Sequence, residues 1–266
     1  MEKNTIVLNE EFSVTLTPYL NAESGVHDAM LVVPGGGYGC VCSDREGGPI
    51  ADAFVAEGYS AFVLEYRVAP AHRYPAQLID IASAVYYLRT HAAEYGINPE
   101  RIFTVGFSAG GHLVGTLATK HKEAEKLLGL PENSTRPTGT VYCYPVVGTD
   151  YPTHGGSFTS LTGLPFDEIP ADTRHALSID ENITASTPPA FIWHTAEDDA
   201  VPACGSLALC RAYMDAGVPV SLRIYPYGPH GVALGNEVTH FGNGSWLQPL
   251  ATGWVKDASD FLKTVK

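Results

Sequence analysis

The feature that most constrains this chain is Gly106-Phe107-Ser108-Ala109-Gly110. An apolar run, Ile102–Val105, precedes it, and a helix-like stretch, Ala109–Lys120, follows. A serine between a strand and a helix, with glycine two residues to either side, describes a sharp turn that lifts its hydroxyl above a sheet edge. Side chains at the glycine positions would collide with neighbouring backbone. The helix N-terminus behind Ser108 favours developing negative charge. The plainer reading of the same turn is a serine that only caps the helix.

The rest of the chain repeats the alternation. Strand-like runs are expected at Ala29–Val33, Tyr59–Tyr66, Gly139–Tyr144, Pro189–Trp193 and Val218–Tyr225. Helices are expected at Ile50–Glu57, Gln77–Ala93 and Gly205–Ala216, with a last one inside Ser245–Val265. In Gln77–Ala93 the apolar positions Leu78, Ile81, Ala82, Val85, Leu88 and Ala92 follow helical spacing. Alternating strands and helices argue for an α/β layer architecture with a mostly parallel central sheet flanked by helices on both faces. Continuous apolar strands fit burial on two sides. Thr5–Leu20 lacks an intervening helix and reads as an antiparallel hairpin on the sheet edge. Residues 1–266 read as one domain, with Val146–Thr187 as a weakly periodic insertion near the site.

Composition narrows the function classes. The net charge of −13 argues against nucleic acid and anionic membrane surfaces as partners. It also disfavours a strongly anionic substrate, although one local arginine could override that. No apolar run is long enough for a transmembrane helix. Met1–Thr5 lacks a basic segment leading into an apolar one, so no signal peptide is expected. The five cysteines, Cys40, Cys42, Cys143, Cys204 and Cys210, contain no CxxC pair. They suggest neither a zinc site nor a disulfide framework, and they suit a reducing cytoplasm. The assembly state is left open, a homo-oligomer included.

A hydroxyl needs a base, and the base needs an orienting acid. With such an elbow the acid and then the histidine follow the serine along the chain. His230 lies in Tyr227-Gly228-Pro229-His230-Gly231, just beyond a strand, where this sheet class keeps its ligands. His240 is its main rival. His112, four residues past Ser108 on the same helix, reads as structural, and His194 as a buried strand end. The acid comes from Glu197-Asp198-Asp199, and the residues alone do not choose among the three. Pro34-Gly35-Gly36-Gly37-Tyr38 offers backbone donors for an oxyanion from Gly36 and Gly37, joined by Ala109 after the serine. Pro34 stands where such loops carry histidine, so that loop-bracing side chain is missing. A phosphate cradle is the weaker reading of these glycines, because no Lys-Ser/Thr pair follows.

These segments together resemble the serine-esterase α/β hydrolases grouped with acetyl xylan esterases and feruloyl-esterase-like carbohydrate esterases, near the hormone-sensitive-lipase branch. Further matching stretches are Arg45-Glu46-Gly47, Tyr66-Arg67-Val68-Ala69-Pro70, Arg73-Tyr74-Pro75-Ala76 with Asp80, Gly156-Ser157-Phe158, Leu161-Thr162-Gly163 and Thr187–Ala196. In that family the acid lies three residues before the Val of a Val-Pro pair, which implies Asp198. The resemblance implies an α/β-hydrolase fold, no cofactor or metal, and removal of acetyl or other short acyl groups from carbohydrate such as xylan oligosaccharides. Tyr38 and His154, within stretches of small and polar residues, are expected to bind substrate. An amidase or peptidase with the same triad is the alternative. A catalytically dead ligand-binding member is a weaker one, since Ser108, Asp198 and His230 are all present.

Overall fold

The computed structural model describes residues 5–266, so the reading of Met1–Thr5 falls almost wholly outside the described residues. Eight strands form one sheet: β1 (Ile6–Asn9), β2 (Val14–Tyr19), β3 (His27–Val33), β4 (Ser60–Glu65), β5 (Ile97–Phe107), β6 (Thr140–Cys143), β7 (Ala190–Thr195) and β8 (Val220–Tyr225). The helices are α1 (Ser43–Glu46), α2 (Gly48–Ala56), α3 (Ala76–Thr90), α4 (Ala109–Leu128), α5 (Gly155–Thr162), α6 (Ala171–Leu177), α7 (Cys204–Asp215) and α8 (Trp254–Lys263).

The spatial order is β1-β2-β4-β3-β5-β6-β7-β8. Pairing is antiparallel from β1 through β2 to β4 and parallel across the rest. The expected edge hairpin is therefore present. Successive side chains of a strand point to opposite faces. In β3, Leu31 and Val33 join a core with Leu78, Val85, Leu113 and Leu209, whereas Met30 and Val32 join one with Ile50, Phe54, Trp254 and Leu262. The first core packs beneath α3, α4 and α7, the second beneath α2 and α8. With no solvent face to serve, the central strands contain no polar alternation, and this is why they read as unbroken apolar runs.

Element boundaries differ where polar residues conceal buried neighbours. α4 does not stop at Lys120. It breaks there (φ −124°, ψ 21°) and continues to Leu128. Beyond the polar run, Ala124 and Glu125 are buried again, and Glu125 accepts from the Asn133 and Thr135 amides at 3.0 and 2.9 Å. A short α1 precedes α2, which itself starts at Gly48 rather than Ile50. Between β6 and β7 lie α5, α6 and two 3₁₀ turns, at Phe166–Glu168 and Asp180–Asn182.

The chain leaves β3 toward β4 on one side and returns to place β5 on the other, with Val33 opposite Gly106. The strand order reverses at this point. The crevice beyond the strands' carboxyl ends there is where open α/β sheets bind ligands.

Candidate active site

Four strand ends meet at this crevice. Ser108 follows β5 with φ 53° and ψ −117°, a conformation that a side-chain-bearing residue keeps only when its surroundings enforce it. The enforcement is visible in the backbone. The Ser108 amide donates to the Cys143 carbonyl at 3.0 Å, and its own carbonyl accepts from His112 and Val146, both at 3.1 Å. A Cβ on Gly106 would lie 2.2 Å from the Gly110 oxygen, and one on Gly110 would lie 2.2 Å from the Val33 oxygen. Both flanking glycines are required by close backbone approach.

His230, beyond β8, brings Nε2 to 2.8 Å from Ser108 Oγ and Nδ1 to 2.7 Å from Asp198 Oδ2. Asp198, beyond β7, is buried, and its Oδ1 accepts from the amides of Ala200 and Val201 at 3.1 and 2.8 Å. Its neighbours separate cleanly from it. Glu197 is exposed and accepts from the Gly228 amide at 3.1 Å, and Asp199 is exposed. Burial alone would raise the Asp198 carboxyl, but hydrogen bonds from His194 and His230 outweigh it and hold the group well below the usual carboxylate range. His240 is engaged elsewhere, with Glu237 at 2.6 Å.

The loop after β3 is aimed by its own carbonyls. The peptide unit is planar, so fixing its C=O fixes the opposite N–H. The Gly35 carbonyl accepts from Cys42 N at 3.0 Å, which orients the Gly36 amide. The Gly36 carbonyl accepts from Gly39 and Cys40 at 3.0 and 3.2 Å, which orients the Gly37 amide. Gly36 and Gly37 take φ values of 126° and 62°, open to glycine at little cost. Both line a cavity of about 180 Å³ together with Ser108, His154, Val201 and His230.

His154 thus stands on the cavity wall, its Nδ1 2.9 Å from Ser157 Oγ. Burial, and then the proximity of His230, lower its pKa and favour the uncharged ring. Tyr38 needs correction. Its side chain is 1% exposed and its hydroxyl is 2.7 Å from His112 Nδ1, so the ring is packed into the core and does not line the cavity. His112 is structural, as expected. Its Nε2 donates to the Leu177 carbonyl at 2.7 Å, and burial lowers its pKa to about 4.

The structure solved for an acetyl ester-xyloside bifunctional hydrolase from Caldicellulosiruptor lactoaceticus superposes with a TM-score of 0.82 at 30% identity, covering 99% of this chain and 96% of that one. The chain belongs to the α/β-hydrolase family. The family model named BD-FAE matches residues 18–144. Among curated relatives, endo-1,4-beta-xylanase B of Butyrivibrio fibrisolvens is 36% identical over 85% of this chain, and an acetylxylan esterase of Xylanibacter ruminicola is 27% identical over 99% of it. The chain spans only 36% and 51% of the lengths of those two relatives.

Two residues that support this site are not among the candidates the sequence offers for it. His194, fully buried, places Nε2 3.2 Å from Asp198 Oδ2 and 2.8 Å from the Val201 carbonyl, with Nδ1 2.8 Å from Ser206 Oγ. A carbonyl can only accept, so Nε2 carries the proton and is shared with the carboxylate. Glu46, 2% exposed, accepts from the Gly35 amide at 2.8 Å and from the Tyr144 hydroxyl at 2.8 Å. Glu46 belongs to a stretch that matches the family pattern, but its partner Tyr144 lies far away in the chain.

Proposed function

We propose that this chain is a serine hydrolase of short-chain carboxylic esters, acting on acetyl groups of xylan-type carbohydrate. The observation that carries the reading is the unbroken line of hydrogen bonds Ser108–His230–Asp198 opening into a cavity of about 180 Å³. A small cavity of this size suits an acetyl group better than a long acyl chain. The names of the relatives add support: one is an acetylxylan esterase, and another is an acetyl ester-xyloside hydrolase.

The reaction proceeds in two acyl transfers. Ser108 Oγ attacks the ester carbonyl as His230 Nε2 takes its proton, and Asp198 holds Nδ1–H and the tautomer. The oxyanion receives hydrogen bonds from the amides of Gly36, Gly37 and Ala109. His230 then gives the proton to the leaving alcohol. Water, deprotonated by the same imidazole, releases acetate from the serine. No step calls on a metal or cofactor.

The test is release of acetate from acetylated xylan oligosaccharides, with mass detection of each deacetylated product. Across 4-nitrophenyl esters from acetyl to dodecanoyl, kcat/KM should be highest at acetyl. A maximum at octanoyl or longer would overturn the short-acyl reading.

The pH profile follows from the same groups. A protonated His230 cannot act as base, so the rate should fall toward acid pH. Asp198 stays ionised across that range because its hydrogen bonds hold it below the usual carboxylate range. Burial lowers the His154 pKa and favours its uncharged ring. Measured kcat/KM should therefore fall on the acid side, and a rate that stays flat toward acid pH would overturn the role of His230 as base.

A further inference from the structure

Glu46 and Tyr144 join the two halves of the site. Glu46 Oε2 accepts from the Gly35 amide, the first amide of the glycine loop, at 2.8 Å. Tyr144 donates its hydroxyl proton to Glu46 Oε1 at 2.8 Å, and the Tyr144 hydroxyl oxygen accepts from the Ala233 amide, three residues beyond His230, at 3.1 Å. The Tyr144 ring also meets the His230 imidazole edge to face, with centroids 5.1 Å apart. A second path runs in parallel: Arg45 stacks 3.8 Å over the Trp246 ring, and Trp246 Nε1 donates to the His230 carbonyl at 3.1 Å.

The environment makes this bridge stiff. Glu46 and Tyr144 are 2% and 1% exposed. Tyr144 follows β6 with φ 37°, a left-handed value that must be held in place by what surrounds it. Its amide donates to the Trp193 carbonyl at 2.8 Å, and the preceding residue, Cys143, accepts from the Ser108 amide. Burial with an O–H donor pushes neither partner toward ionised tyrosine, since desolvation and the Glu46 carboxylate both raise the Tyr144 pKa. The hydroxyl thus keeps the proton it donates.

We propose that Glu46 and Tyr144 are positioning residues that lock the oxyanion loop to the histidine loop, so that the donors and the base keep one register about Ser108. Glu46 here takes over the bracing that a histidine at position 34 would supply. The carboxylate borders the cavity, and each of its oxygens accepts one hydrogen bond of the bridge. The proposal rests on the esterase reading, since a register matters only if an oxyanion forms there.

The experiment uses the full chain, wild type against Tyr144→Phe, Glu46→Gln and the double variant. Three readouts are taken: kcat and KM on 4-nitrophenyl acetate, the affinity for a small alkyl boronate, and thermal melting. The boronate forms a tetrahedral Ser108 adduct with an oxygen in the oxyanion position, so it reports donor register directly. Tyr144→Phe keeps the ring and removes only the bridging oxygen. Each single variant should lose about tenfold or more in kcat with KM within about threefold, as expected of small displacements in a catalytic array. Boronate affinity should fall in parallel, and the double variant should be little worse than the poorer single one. Boronate affinity and kcat at wild-type levels in Tyr144→Phe, or losses that add in the double variant, would overturn the lock even if melting temperatures fall. If Glu46→Gln fails to fold, Tyr144→Phe alone decides. A wild-type chain that neither turns over the ester nor binds the boronate would overturn the esterase reading itself, and the lock with it.

Discussion

Replacing Ser108 with alanine should lower turnover of 4-nitrophenyl acetate by about 10,000-fold or more, the scale seen when the nucleophile of a triad is removed. The loss is this large because the remaining groups have nothing to act on. His230 keeps its bond to Asp198 but has no proton to take. The amides of Gly36, Gly37 and Ala109 can still polarise a bound carbonyl, which leaves only a residual rate. Folding should be nearly untouched. Alanine fits the same space, and the variant forgoes a single hydrogen bond to half-buried His230. Ser108→Gly should be at least as inactive, yet melt at a higher temperature, because glycine accepts φ 53° without strain. Steady-state rates with parallel melting curves check both statements. Wild-type turnover in Ser108→Ala would remove the basis of the whole functional reading.

Replacing Gly110 with alanine should destabilise the fold by about 3 kcal/mol, at the upper end of what forced packing costs. The new Cβ would lie 2.2 Å from the Val33 oxygen and 2.4 Å from the Pro34 oxygen. Both are backbone atoms, one ending β3 and the other opening the glycine loop, so no side-chain rotation relieves the clash. The helix behind Ser108 must move away from β3. Activity should fall with stability, because the same movement separates Ser108 from Gly36 and Gly37. Gly253→Ala is the control: nothing lies within 4 Å of its added Cβ, so it should unfold within about 1 kcal/mol of wild type. Urea unfolding of the two variants gives the comparison. Equal midpoints would show that the elbow tolerates a side chain at Gly110.

The parts of the site that were legible in the sequence are those whose chemistry is local. Ser108 announced itself because its glycines are needed within two residues. His230 did so because it opens a Gly/Pro-shaped loop just past a strand. Asp198 sat among three acids that pattern alone could not rank. Only tertiary contact separates it from Glu197 and Asp199, and the family resemblance supplied what local reasoning did not. Tyr38 misled because proximity in sequence to an oxyanion loop says nothing about which way a side chain turns. Its hydroxyl is claimed by His112, far along the chain. Glu46 has no recognisable spacing to anything, since its partner Tyr144 lies 98 residues away. The sheet was readable for a related reason. Strands buried on both faces leave a simple apolar signature, whereas the reach of α4 past Lys120 depends on a buried Glu125 that looks like surface in one dimension.

The way the glycine loop is aimed has a consequence for how this scaffold can change. Its donors are main-chain amides, and each is directed by a carbonyl whose partner is again main chain. At Gly36, where an added Cβ would lie 2.2 Å from the Cys40 carbonyl oxygen, substitution therefore offers the proposed oxyanion hole no graded adjustment. Substrate preference is free of that restriction. His154, Val201 and Cys42 also line the cavity and could be varied one at a time. On the esterase reading, selection or engineering can thus reshape what the site accepts while the amides proposed to stabilise the reacting carbonyl stay constant.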